Sequence, residues 1–388
     1  SGHFRKPQIK VLTTLFATIL IACGKVNFTN LSRYSSLSEK TYRRQFEKPF
    51  DFMKFNAQII RAATDESQPI IAVMDCSFIA KSGKKTFGLD SFYNSAHNRV
   101  ETGLEVSLVA VVDVKTQMGY ALLAQQTFTQ KEFPSLTRMD YYLLHLETVR
   151  PYLPSSVRYL TVDGYYAKES FVTGATALEL HVMSKLRCDA NLRYVFEGQQ
   201  KARGARRKYD GKVDLTNPSR FTWVRQLQPG VNLYTAVVWH VSLKRKIRLA
   251  YLKDSRKLNK PSYIVLFSTD LDQTADDLYR LYRLRFQIEF IFRDAKQFTG
   301  LSDCQARDVK KLDFHFNASL SALNLSKLDA RRQHSSNEPF VFSMASIKRR
   351  ALNDHLLQTF ISRLDLEPTL IKSHPNYQSL RDYGTIAA

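Results

Sequence analysis

Between residues 69 and 186 the chain alternates short β-rich apolar runs with helix-like segments, and two of the runs close on an aspartate. Pro69 to Asp75 (PIIAVMD) is the first. Glu105 to Val114 and Gly119 to Thr127 follow, split by Lys115-Thr116-Gln117-Met118, which reads as a hairpin turn. Met139 to Val149 has a helical pattern. Val157 to Asp163 (VRYLTVD) is again a short strand ending in Asp, followed by Gly164. Ala167 to Leu178 then reads as helix and His181 to Leu186 as strand. An antiparallel set followed by strand–helix alternation predicts a mixed α/β sheet. Sheets of that kind place ligands at strand ends, where Asp75 and Asp163 would stand.

The flanking segments differ in character. Residues 1–66 read as helical. Within them Val11 to Cys23 (VLTTLFATILIAC) is nearly all apolar behind a basic start and imitates a secretion signal. It is too short to span a bilayer, so a buried helix is expected and no membrane partner. Residues 185–261 form a basic, β-rich insertion. Residues 185–260 hold 19 Lys and Arg against 5 Asp and Glu, two thirds of the net charge of +21. Core structure resumes at Ser262, a long helix is expected from Thr274 to Phe298, and residues 309–388 read as mostly helical.

Such an excess of positive charge favours a polyanionic partner, either nucleic acid or an anionic membrane. Near the N-terminus a helical stretch ends near Tyr34, and Ser38 is a plausible cap for a short basic helix, Glu39 to Lys48. The spacing fits a helix-turn-helix with Lys40, Tyr42, Arg43 and Arg44 near a DNA groove, and fits an ordinary helical hairpin as well. A second basic cluster, Arg203 to Lys208, includes Arg206 and Arg207. Four scattered cysteines without a CxxC pair suit a reducing cytoplasm. No histidine pair has metal-ligand spacing, and no phosphate-binding GxxxxGK[ST] loop occurs.

Two aspartates at strand ends and Glu289 on the long helix could together hold two Mg(II) ions through hard oxygen ligands, with Mn(II) as a substitute. Taken alone the triad is weak, because the chain has 36 acidic residues to choose from. The helix adds weight. Tyr282, Arg285, Glu289 and Lys296 fall at offsets 0, 3, 7 and 14, within a sector of about 60° on a 3.6-residue helix. Cations beside a carboxylate on one face suit phosphoryl transfer; a solvated face with i,i+4 ion pairs gives the same spacing.

The stretch Leu281 to Leu301 (LYRLRFQIEFIFRDAKQFTGL) carries Y-x2-R-x3-E-x6-K, which resembles the YREK signature of bacterial insertion-sequence DDE transposases. Asp75 in IAVMDCSFI and Asp163 in LTVDGYYAK resemble that family's two aspartate strands, and Lys81 to Gly88 (KSGKKTFG), with Lys81, Lys84 and Lys85, resembles the loop after the first. The similarity runs over roughly residues 68–302. It implies an α/β, RNase H-like mixed sheet core (residues 67–184 and 262–308) with a β-rich insertion domain and helical N- and C-terminal regions. It implies that Asp75, Asp163 and Glu289 converge on the metal ions, with Tyr282, Arg285 and Lys296 on DNA phosphates. The implied activity is cut-and-paste transposition of double-stranded DNA, through hairpin intermediates in one branch, by a homodimer in the bacterial cytoplasm and nucleoid. In that branch a tryptophan of the insertion stacks on a flipped base; Trp239 is the first choice here and Trp223 the second. A catalytically inactive, domesticated relative that only binds DNA is the alternative.

Overall fold

The computed structural model describes residues 6–256, 262–333 and 341–386. It opens with α1 (Lys6–Ile21), α2 (Phe28–Arg33), α3 (Glu39–Gln45) and α4 (Phe52–Ala63). The apolar run of α1 buries Leu12, Leu15, Phe16 and Ile19, as its pattern predicts. No helix among the described residues is long and apolar enough to cross a membrane. Ser38 caps α3 by accepting from the Thr41 amide at 3.2 Å. Tyr42, which the helix-turn-helix alternative would put near a groove, is fully buried, with its hydroxyl 2.8 Å from Ser35 Oγ. One helical turn cannot present neighbouring residues to the same side, so α3 buries Tyr42 and exposes Lys40, Arg43 and Arg44.

Four strands follow, β1 (Ile70–Ala80), β2 (Asp90–Asn94), β3 (Arg99–Asp113) and β4 (Met118–Thr127). Then come α5 (Arg138–Val149), β5 (Tyr159–Val162), α6 (Glu169–Ala177) and β6 (His181–Lys185). The basic segment supplies β7 (Leu192–Val195), β8 (Tyr209–Lys212), β9 (Thr222–Gln228), β10 (Val231–His240) and β11 (Arg245–Asp254), and β12 (Ser262–Ser268) returns to the core. The end of the chain is helical: α7 (Ala275–Arg283), α8 (Phe286–Phe298), α9 (Val309–Gln333), α10 (Met344–Arg363), α11 (Pro368–Lys372) and α12 (Tyr377–Arg381).

Among the described residues the strands form one mixed sheet in the order β2-β3-β1-β5-β6-β12-β11-β10-β7-β8, with β4 also on β3 and β9 also on β10. The pairs β1–β5 and β5–β6 are parallel and the rest antiparallel. This is the mixed α/β, RNase H-like architecture expected for the core, with a β-rich insertion that extends the sheet edge through β12. Alternation along β1 sends Ile71 and Val73 into one core with Ile288, Ile291 and Leu320, and Ala72 and Met74 into another with Tyr142, Leu146 and Phe171.

The outer edge of β4 is closed by side chains rather than by a strand. Asn324 accepts from the Ala121 amide at 2.9 Å and donates to its carbonyl at 2.7 Å; Asn317 does the same for Ala124 at 2.9 and 3.0 Å. Seven residues of helix rise about 10 Å and three of strand about 10 Å, so the two spacings match. Buried amides thus satisfy an edge that would otherwise invite pairing.

Candidate active site

Parallel pairing of β1 with β5 ends at Met74↔Val162. Asp75 and Asp163 are the next residue of each strand. Neighbouring strands lie about 4.8 Å apart, so the two carboxylates emerge side by side on the Ile71 and Val73 face. That is the face on which α8 packs. One expectation needs correction: β1 does not stop at Asp75 but runs on to Ala80, because β3 remains its antiparallel partner. Asp75 marks where β5 leaves the ladder, and there the sheet opens.

A second correction concerns the helix. The single helix expected from Thr274 to Phe298 is broken at Leu284 and Arg285 into α7 and α8. The break is a tightened turn: Leu284 N–H donates to Leu281, Arg285 to Tyr282 and Ile288 to Arg285, all i→i+3, at 3.0–3.1 Å. No proline or glycine marks it. The polar stripe survives the break because Leu278, Leu281, Leu284 and Ile288 stay buried and hold both halves to the sheet.

Arg285 is the centre of the arrangement. Its guanidinium donates through Nη1 to Asp75 Oδ2 at 2.9 Å and through Nη2 to Glu289 Oε1 at 2.6 Å. Tyr282 interacts electrostatically with it. Burial works against its charge, but Asp75, Tyr282 and Glu289 more than offset that, and its pKa is raised. Asp75 keeps 24% of its side-chain exposure and accepts from the Cys76 amide at 2.8 Å. Burial pushes its acid up to about 6, against the pull of Arg285 and with the help of Asp163 and Glu289. Burial likewise raises the Tyr282 phenol. Asp163 is exposed.

The donor chemistry of these acids fits divalent ions. Three carboxylates offer hard oxygens, and burial disfavours the ionised Asp75, a cost that a bound cation would offset. Among the described residues no three acidic, histidine or cysteine side chains lie close enough to hold an ion as they stand. Arg285 occupies the space between two of the acids.

The other sequence candidates fall into groups. Lys296 is turned inward, donating to the Phe78 carbonyl at 2.9 Å, and burial lowers its pKa. Lys81 donates to the Cys304 carbonyl, while Lys84 and Lys85 are exposed on the loop beyond it. Arg43 pairs with Glu39 at 2.6 Å and lies over the Phe28 ring; Arg44 is exposed. Arg206 is exposed, and Arg207 pairs with Asp210 and covers Phe196. Trp239 is half-buried against Tyr209, whereas Trp223 is 58% exposed. By register Trp223 pairs with Tyr234, which shares a face of β10 with buried Val238, so the two tryptophans point to opposite faces of the sheet.

A groove of about 810 Å³ beside Asp163 was not anticipated. Tyr165, Lys168, Lys185, Arg187 and Tyr263 line it, and the Lys168 ammonium lies 4.6 Å from the Tyr165 ring centre. The signal for it was the sequence after Asp163, GYYAK, which places a ring and a cation within five residues.

The transposase DDE domain family matches residues 68–325 of the chain. No curated protein sequence matches it. The match spans the strands that lead to Asp75 and Asp163 and the helix that carries Glu289. The chain belongs to the transposase DDE domain family. Members are, in general, metal-dependent nucleases and strand transferases that act on DNA.

Proposed function

We propose that the chain is an active transposase of the YREK-signature branch, which binds transposon ends, cleaves them and joins the 3′ ends to target DNA. Asp75, Asp163 and Glu289 would hold two divalent ions, Mg(II) or Mn(II). The observation that carries this reading is the Arg285 bridge between Asp75 and Glu289, with Asp163 at the adjoining strand end. Bound there, divalent ions supply the positive charge that phosphoryl transfer requires.

The protein's own groups do the rest. Arg285 acts as a resident counter-ion that keeps two acids near one another before DNA arrives. A phosphate offers the same bidentate geometry as a carboxylate, so the guanidinium can exchange partners and free the acids. Tyr282, whose phenol interacts with Arg285, helps to position it. Lys296 fixes β1 just beyond Asp75. The groove beside Asp163, with Lys168, Lys185 and Arg187, and the exposed Lys84 and Lys85 on the loop after β1 suit contact with a phosphate backbone. The exposed Trp223 is better placed than Trp239 for base stacking. Two copies, each engaging one end, complete the proposal, with cleavage through a hairpin as the second-strand route.

Incubating duplex DNA from the element's own flanks with Mg(II) and resolving products on a denaturing gel tests this. Nicked, hairpin and joined products are expected. Binding without cleavage would instead identify an inactive DNA-binding relative, and cutting without joining a simple nuclease. The basic cluster at 203–208 makes a separate prediction. Replacing Arg203 and Arg206 with alanine should weaken duplex binding and reduce the slope of log K against log salt by about one for each phosphate no longer neutralised. An unchanged slope would place that cluster off the DNA.

A further inference from the structure

The ladder between β1 and β5 stops at Met74↔Val162, so backbone bonds do not fix the distance between Asp75 and Asp163. A side-chain bridge on the opposite face of the sheet does so instead. Cys76, one residue past Asp75, points away from the acids and places its Sγ 3.0 Å from the hydroxyl of Tyr166. Tyr166 ends the 3-10 turn, Gly164–Tyr166, that starts at Asp163. The bridge therefore joins the residue after the first acid to the turn after the second.

The bridge is anchored at both ends. Tyr166 is 2% exposed, with its ring centre 5.0 Å from that of Tyr142 and 5.1 Å from that of Phe171. Tyr142 donates to Glu105 Oε1 at 2.6 Å. Glu105 stands on β3 opposite Phe78. The turn passes close to β6, where a Cβ on Gly164 would lie 3.0 Å from the Lys185 carbonyl oxygen. The thiol–phenol bridge thus packs against a second buried phenol, and that phenol is tied to β3 through Glu105.

We propose that Tyr166 and Cys76 are positioning residues that set the separation of Asp75 and Asp163, and thereby the affinity of the site for a divalent ion. This rests on those aspartates being the metal-holding acids. Tyr166→Phe keeps the buried ring and removes only the hydroxyl. Losing a partner that orients metal ligands typically weakens metal affinity by about 10–100-fold.

The test is Mn(II) binding to the full chain on duplex DNA, against the same DNA alone, followed by electron paramagnetic resonance of the free ion, alongside cleavage as a function of Mg(II) and metal-free DNA binding. Tyr166→Phe and Cys76→Ala should each weaken Mn(II) binding about tenfold and raise the Mg(II) needed for half-maximal cleavage, with cleavage recovering at high Mg(II) and DNA binding unchanged. Cys76→Ser, which retains a hydrogen-bonding atom, should bind Mn(II) nearly as wild type does. The Tyr166→Phe, Cys76→Ala double variant should be no worse than either single one. Unchanged Mn(II) affinity in Tyr166→Phe, or additive losses in the double variant, would overturn the proposal. If Asp75→Asn leaves Mn(II) binding intact, the metal-site reading itself fails, and that outcome is separate from the first two.

Discussion

Asp75→Ala and Asp163→Ala should each lose at least about a thousandfold in DNA cleavage while binding duplex DNA as tightly as the wild type. Asp75 stands where β5 leaves β1, Asp163 stands just past the end of β5, and neither contributes to the cores. Their loss removes charge from the reacting centre and leaves the basic surfaces intact. Quantitative gel cleavage beside fluorescence anisotropy separates the two effects. Equal loss of binding and cleavage would mean the acids support the fold or the DNA surface rather than the reaction.

Asp75 also carries a stability signature. Its ordinary acid range lies near 3.8, and the folded protein pushes it up to about 6, so folding favours the protonated form. The stability this contributes is fully present below about pH 4 and is lost as pH rises through 6. Asp75→Asn removes the ionisation. In chelator it should therefore be more stable than the wild type by about 2 kcal/mol at pH 8 and nearly equal to it at pH 4. Thermal melting at the two pH values checks the sign.

The second large effect is at Arg285. Arg285→Ala should reduce cleavage by about a hundredfold or more, because it removes both the cation that meets phosphate and the tie between Asp75 and Glu289. The metal-free protein should also lose about 2 kcal/mol of stability, since truncating one member of a partly buried ion cluster leaves the others uncompensated. That loss should be larger at pH 8 than at pH 5, because Asp75 can escape it by protonation. Arg285→Lys should not restore activity: an ammonium is a point charge and cannot span two carboxylates 2.9 and 2.6 Å from separate nitrogens. Full activity in Arg285→Lys would show that only charge matters there.

The parts of the fold readable in advance were those governed by local periodicity. The apolar runs at 70–74 and 159–162 became paired parallel strands, and the alternating run at 105–113 became the long β3. The candidate residues were legible because Tyr282, Arg285 and Glu289 recur at helical spacing, which survives the break between α7 and α8, and because both aspartates follow apolar strands. What escaped were features fixed by tertiary packing. The turn at Leu284 and Arg285 carries no proline or glycine, and only packing of both halves on the sheet enforces it. Tyr42 looked like a groove residue in an isolated basic helix, but docking of that helix made it core. Lys81 and Lys296 read as free cations, yet each found a carbonyl brought close by a segment more than two hundred residues away. The bridge from Cys76 to Tyr166 is invisible along the chain for the same reason.

The most direct measurement compares wild type with Glu289→Gln on DNA carrying the element's own ends, in Mg(II), with binding followed in parallel. Glutamine keeps the size of the side chain and one hydrogen bond to Arg285, and removes the charge. The account predicts nicked, hairpin and joined strands from the wild type, and bound but uncut DNA from Glu289→Gln. Cleavage that survives the substitution would contradict the claim that Glu289 is the third acid.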